Sequence, residues 1–276
     1  MGLRINTNIA AMNARRMLGT SSDATQRSFE RLSSGSRINK AGDDAAGLAI
    51  SENLKAQIRG LRQAKRNASD GISLVQVTEG GLNEISNILI RLRELSVQAS
   101  SDTIGDTERS FTDREFQSLK GEIDRIANTT HFNGIPLLNG RELPIDIQVG
   151  IYNSGDDRLS YDTKWANSTA KALGVAEDAV LSKLGAQESL GRLDAGLKRV
   201  NEVRSTLGAM QNRLQSTINN LSIYDENLSA ANSRMRDADI AEESSELTKQ
   251  TILQQAGVAI LAQANASQHQ ALKLLS

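Results

Sequence analysis

The chain has no cysteine, which excludes disulfides and thiolate chemistry and makes folding indifferent to the redox state of its surroundings. Proline occurs twice, at Pro136 and Pro144, both in the middle of the chain. Aromatic residues make up only 3% of the 276 positions, too few for a conventional globular core. The two histidines, His131 and His269, argue against a histidine metal site. No run of 18 apolar residues is present, so nothing reads as a membrane-spanning helix. Charge of neither sign dominates: 32 basic residues stand against 33 acidic ones. The overall balance therefore implies no affinity for nucleic acid or for a membrane surface. Residues 1–8 lack the apolar core of a secretory signal, so any export is expected to use another route.

What is abundant is Ala, Leu, Ser, Asn, Gln and Arg, and its order is periodic. Every seventh residue from Leu54 is apolar: Leu54, Leu61, Ala68, Val75, Leu82 and Leu89. The same holds from Leu193 through Val200, Leu207, Leu214, Leu221 and Leu228 to Met235. Companion apolar rows lie three or four residues away and drift along each ladder. A helix of 3.6 residues per turn measured against a repeat of 3.5 behaves this way. The pattern predicts two long, rather straight helices, each with one apolar stripe. Forty-five such residues span roughly 68 Å. Neither helix buries its stripe alone, so the two are expected to lie side by side with the chain folding back between them.

The rest of the chain mirrors itself about that middle. Residues 1–32 read as a helix with Ile5, Ile9, Met12 and Leu18 on one face. The Gly/Ser-rich run LSSGSRINKAG at 32–42 interrupts it. Asp43 and Asp44 then read as caps of the first long helix, over about 45–100, rather than as a metal or catalytic pair. Its basic cluster, Arg59, Arg62, Lys65 and Arg66, carries no aromatic residue for base stacking and reads as a solvated or salt-bridged face. Gly80 and Gly81 in the helix interior suggest a close helix–helix approach. A shorter helix follows over about 108–129, then turn signals at Asn133-Gly134 and Asn139-Gly140. Residues 143–150 alternate apolar and polar, and residues 158–161 are expected to pair with them as a small β-hairpin. The Asp156-Asp157 pair lacks EF-hand spacing and reads as turn chemistry. A capped helical segment is expected over 175–184, the second long helix over about 187–234, a hinge near 236–240 facing the first hinge, and a last helix over about 242–275.

This order of segments, with these residues, resembles bacterial flagellin closely. The N-terminal marks are INTN at 5–8, LSSGSRIN at 32–39, DDAAGLAI at 43–50, RNASDGIS at 66–73, REL at 93–95 and FNG at 132–134. The C-terminal marks are LGAMQNRL at 207–214, SRMRD at 233–237, LQQA at 253–256 and LAQAN at 261–265. The matches cover roughly residues 1–150 and 185–276.

The resemblance implies a mainly α fold: a long antiparallel helical rod bundle with a small β-hairpin region, plus paired N- and C-terminal coiled-coil helices. It implies a terminal coiled-coil (inner tube) domain of residues 1–42 plus 236–276. Residues 43–235 would form the rod domain, with the hairpin at about 141–162. It implies a structural subunit that polymerises into the bacterial flagellar filament for swimming motility, secreted and extracellular, with no cofactor. The implied partners are copies of itself, an export chaperone and the secretion apparatus, and hook-junction and cap proteins. Toll-like receptor 5 would read Arg91, Leu95 and Glu115, and cytosolic NAIP-type sensors would read Leu272, Leu274 and Leu275. Packing between subunits accounts for the same six residues as well.

Physical reasoning adds what would drive assembly. Terminal helices with apolar faces and no enclosed core are expected to be poorly ordered until neighbours cover them. Ile5, Ile9, Leu253, Ile260, Leu261 and Leu272 are the expected polymerisation residues. Leu54, Leu61, Val75, Leu82, Leu89, Leu193, Val200, Leu207, Leu214, Leu221 and Leu228 are the expected rod core. A hook–filament junction protein shares the terminal architecture, and a helical signalling rod shares the ladders. The zinc-protease motif H-E-x-x-H and phosphate-binding glycine loops are both missing, so an enzyme is not expected.

Overall fold

The computed structural model describes residues 7–140 and 144–273, with side-chain surroundings through residue 267. The protein is mainly helical. In chain order the elements are α1 (Ile9–Ser34), α2 (Ala45–Ala99), α3 (Asp106–Thr129), β1 (His131–Phe132), β2 (Ile135–Pro136), β3 (Ile145–Gln148), β4 (Arg158–Tyr161), α4 (Lys183–Arg236) and α5 (Ile240–Lys273). The chain divides into two compact units, one drawn from residues 1–56 and 227–276, the other from 57–226.

The larger unit is built on the antiparallel pairing of α2 with α4. Successive contacts fix the direction: Arg62 Nε donates to Asp225 Oδ2 at 3.1 Å, Leu89 comes against Gly196, and Arg93 Nε donates to Asp194 Oδ1 at 2.7 Å. Leu61, Val75, Leu82 and Leu89 from α2 and Leu193, Val200, Leu207 and Leu214 from α4 are all buried. Phe116, Ile123 and Ala127 of α3 close the third side of this core, with Leu137 and Leu138 beyond β2. Leu54, Leu221 and Leu228 are only half-buried. The sevenfold ladder continues past the closed core, and a leucine held by two helices alone keeps part of its surface in water.

The β-segments lie over α2. β3 pairs antiparallel with β4, Ile145 opposite Tyr161 and Gln148 opposite Arg158. Asn67 of α2 donates its amide to Gln148 O at 3.0 Å, which pins the hairpin to the helix. A Cβ at Gly71 would stand 2.7 Å from Ile147 Cδ1, so glycine there admits the hairpin. Gly81 has a similar role for a different neighbour. A Cβ would stand 2.8 Å from Thr130 Oγ1 and 2.9 Å from Leu138 Cδ1, while Gly80 faces open space. The close approach at this pair is thus to the segment after α3, not to another helix. That segment holds a second, unexpected hairpin: β1 and β2 pair around Asn133 (φ 50°) and Gly134 (φ 76°), the left-handed conformations that a two-residue Asn-Gly turn requires.

Two features escaped the periodicity. No separate α-helix forms over 175–184; residues 171–182 are turns, bends and irregular backbone, and α4 begins at Lys183. Tertiary bonds take the backbone groups a helix would have used. Val180 N donates to Asp113 Oδ1 at 2.9 Å, and Asp178 O accepts from Gln117 Nε2 at 3.1 Å and Lys120 Nζ at 3.0 Å. The buried Asp178 carboxylate faces Arg192 Nη1 at 2.7 Å. Burial pushes its pKa up, with Arg192 and Lys120 pulling the other way.

The second feature is Arg109, which is buried at the start of α3 and closes the end of α2. Its guanidinium donates to Ala99 O (3.0 Å), Ser101 O (2.9 Å) and Asp106 Oδ1 (2.9 Å). Arg109→Ala leaves these acceptors unpaired and is expected to cost about 1–3 kcal/mol in urea-unfolding free energy. Arg109→Lys should recover only part of the loss, because a point ammonium does not reproduce the planar fork.

Candidate assembly surface

In the smaller unit, two turns face each other. Arg37 N donates to Arg236 O at 2.6 Å, and Ala238 N donates to Gly35 O at 3.0 Å. Gly35, at φ 67°, ends α1 in the left-handed conformation. Asp44 Oδ1 accepts from Gly47 N at 2.8 Å and caps α2, while Asp43 Oδ2 accepts from Asn39 N and Lys40 N at 3.1 and 3.0 Å. Asp239 Oδ1 caps α5 through Ala241 N at 2.8 Å. Glu52 pairs with Arg236.

These contacts predict a hinge that loosens in acid. The backbone N–H groups of Lys40 and Asn39 hold the Asp43 carboxyl below its ordinary 3.8, and the Arg236 guanidinium holds Glu52 below its ordinary 4.5. A carboxylate with a lowered folded pKa stabilises the fold above its unfolded value and loses that contribution as pH falls through the folded one. Protease cleavage within residues 35–44 is therefore expected to accelerate as pH drops below about 4.5, and to stay flat between about pH 6 and 8. Asp178 has the opposite sign: with its pKa raised, acid relieves rather than adds a cost at its own site.

From this hinge α1 and α5 run together in antiparallel fashion. Arg31 pairs with Glu243 (3.6 Å), Ser21 Oγ donates to Gln250 O (3.0 Å), Leu18 packs against Gly257, and Asn8 Nδ2 donates to Ala264 O (2.9 Å). The seam mixes small and polar side chains with four leucines, Leu18, Leu32, Leu247 and Leu261. On α1 the covered positions include Ala11, Ala14, Leu18, Ser21, Thr25, Ser28 and Leu32, which follow one another at alternating steps of three and four. On α5 they include Leu247, Gln250, Gln254, Gly257, Leu261 and Ala264. This is the spacing of a coiled-coil seam.

Further apolar bulk lies outside. Ile9, Met12, Met17 and Phe29 of α1 are exposed, as are Ile252 and Val258 of α5. Leu253 is 49% and Ile260 60% exposed, whereas Leu261 is half-buried in the seam. Of the residues expected to polymerise, Ile9, Leu253 and Ile260 thus face outward, and Leu261 serves the pair itself. Ile5 lies outside the described residues, as do Leu274, Leu275 and the side chain of Leu272. Large apolar side chains left in water on both helices mark surface that a neighbour would cover.

The receptor candidates divide differently. Arg91 Nη2 pairs with Glu115 Oε1 at 2.8 Å on the surface of the larger unit, and Arg91 Nη1 also reaches Glu94 Oε2 at 3.0 Å. Leu95 is 2% exposed and belongs to the core. Its side chain is therefore not available at the surface. Among the described residues no group of three or more His, Cys, Asp or Glu could hold a metal ion, and no helix is long and apolar enough to cross a membrane.

An antiparallel helical pair that leaves Ile9, Met12, Phe29, Leu253 and Ile260 exposed fits a structural protein that is covered by neighbours. Comparison with known proteins gives the family. The models of the bacterial flagellin N-terminal and C-terminal helical regions match residues 5–142 and 190–275. A flagellin of Halalkalibacterium halodurans is 48% identical over 98% of this chain and 99% of its own length. The Bacillus subtilis flagellin is 43% identical over 99% of this chain and all of its own. The chain belongs to the bacterial flagellin family. The crystal structure of Bacillus cereus flagellin superposes with a TM-score of 0.51 at 30% identity, covering 56% of this chain and 88% of that one. A putative flagellar hook-associated protein from Vibrio parahaemolyticus shares the fold, with a TM-score of 0.58 at 15% identity over 71% of this chain and 100% of that one.

Proposed function

We propose that the chain is the repeating subunit of an extracellular flagellar filament and polymerises by burying the outward faces of α1 and α5 against copies of itself. The observation that carries this reading is the number of large apolar side chains left exposed on the helical pair, among them Ile9, Met12, Met17, Phe29, Ile252, Leu253, Val258 and Ile260, outside a seam whose own large apolar residues include Leu18, Leu32, Leu247 and Leu261. A solitary chain gains nothing from holding Leu253 and Ile260 in water. Each Leu or Ile covered by a neighbour contributes about 1.5–3 kcal/mol, so a handful offsets the entropy of ordering. Head-to-tail contacts that do not close into a ring generate an open helical polymer.

Export would pass the chain unfolded through the flagellar secretion channel, with a dedicated chaperone covering the C-terminal helix beforehand. The absence of cysteine suits that passage, since no cross-link can form in transit. Hook-junction and cap proteins are the other expected neighbours. Recognition by Toll-like receptor 5 would rest on Arg91 and Glu115 at the surface, with Leu95 supporting α2 from within. Recognition by NAIP-type sensors would rest on Leu272, Leu274 and Leu275.

Deleting residues 236–276 is expected to leave a soluble chain that does not polymerise; filaments from the truncated chain would overturn the proposal. Seeded growth of the full chain separates a filament subunit from a hook–filament junction protein. Long tubes support the first, and a chain that occupies seed ends without elongating them is the second.

A further inference from the structure

Beneath the β3–β4 hairpin, between it and the helices α2 and α4, lies a groove of about 600 Å³. Its floor is apolar, with Leu61 and Leu159 buried there. Two of the three tyrosines stand at its edge, Tyr152 at 62% and Tyr224 at 49% exposure. The third, Tyr161, is buried and donates its hydroxyl to Leu137 O at 3.1 Å.

Among the polar residues that line the groove are Arg213 and Asn220 from α4 and Asp156 from the hairpin turn. None has a side-chain hydrogen bond or ion pair among the described residues. The neighbouring Asp157, by contrast, accepts from Ser154 Oγ at 2.8 Å. The groove therefore offers a guanidinium, a carboxylate and an amide with unused hydrogen-bonding capacity over an apolar floor.

These features select a ligand chemistry. The volume falls within the range of small-molecule sites, about 300–1,000 Å³. Because the groove carries both signs of charge, a charged ligand would meet a like charge as well as an opposite one. A neutral polyol meets neither penalty, since each hydroxyl both donates and accepts. The electron-rich face of a tyrosine ring suits C–H groups that carry slight positive charge. A pyranose ring combines a C–H face with a rim of hydroxyls. We propose that this groove binds a short neutral oligosaccharide, stacked on Tyr152 and Tyr224 and hydrogen-bonded by Arg213, Asn220 and Asp156.

The test is saturation-transfer-difference NMR on the full chain kept monomeric, with chitotriose and maltotriose as probes and trigalacturonate as the charged comparator. Transfer is expected to at least one neutral probe, with trigalacturonate bound about tenfold more weakly. Tyr224→Ala and Arg213→Gln, both at exposed positions, should each weaken that binding by about tenfold, with circular dichroism unchanged. Silence from both neutral probes, transfer indifferent to Tyr224→Ala, or tighter binding of the charged probe would overturn the proposal. A sugar-silent chain whose Tyr224→Ala variant no longer joins filament seeds would assign the groove to a neighbouring copy of the chain, which also overturns it.

Discussion

Leu253→Asp is expected to abolish filament growth while leaving the helicity of the monomer nearly unchanged. Leu253 is half-exposed in the single chain, so the carboxylate meets water there and little is lost on folding. In the polymer the same position would be covered. The contact then forfeits the about 1.5–3 kcal/mol of a buried leucine and adds the desolvation of an unpaired charge, several kcal/mol more. Each 1.4 kcal/mol is a factor of ten, so the critical concentration for growth should rise by about a hundredfold or more. Ile260→Asp should act in the same direction. Ser21→Leu at the seam makes the contrast. It overpacks a position that is buried within the chain and bonded to Gln250, so it should destabilise the monomer itself by about 1–3 kcal/mol. Sedimentation of filaments against total protein, with circular dichroism of the supernatant, reads both effects.

Phe116→Ala is expected to produce the largest loss of stability of any single truncation in α3. Phe116 is fully buried in the core of the larger unit, and removing its ring leaves a cavity worth about 3–5 kcal/mol. For a unit of this size the melting temperature should fall by about 10 °C. Phe111, earlier on the same helix, is exposed and lies near Arg114, whose guanidinium carbon is 5.5 Å from the ring centroid. Phe111→Ala should change stability by no more than about 0.5 kcal/mol. Equal losses at the two positions would mean that α3 packs with a different face toward the core.

The residues that could be read from the sequence are those that speak through bulk. Leu61, Val75, Leu82 and Leu89 announce a buried stripe because leucine and valine at sevenfold spacing fall on one face of a helix, and that face must leave water. The caps at Asp44 and the turn at Asn133-Gly134 were legible because they depend on local chemistry alone. The seam of α1 was not legible. Ala14, Ser21 and Ser28 are also spaced by seven, yet small and polar side chains give no hydropathy signal, and the larger Ile9 and Met12 mark the opposite face. Arg109 looks like one more charge in the first turns of a helix, and only the folded position of the Ala99 carbonyl reveals its use. The stretch 175–184 has ordinary helical composition, but tertiary partners such as Asp113 and Lys120 bond its backbone groups in place of a helix. Arg91 and Glu115 lie 24 positions apart, and no spacing rule pairs them.

The most direct measurement exploits the missing cysteine. Ile260→Cys and Ser21→Cys each introduce a single thiol into a chain that has none, one on the outward face and one in the seam. Thiol-labelling rates are then compared between monomer and filament. If the outward faces of α1 and α5 are what assembly buries, the thiol at position 260 reacts readily in the monomer and slows by at least about tenfold in the filament. Equal labelling of position 260 in both states, in filaments confirmed by electron microscopy, would contradict that claim and place the polymer contact elsewhere on the chain.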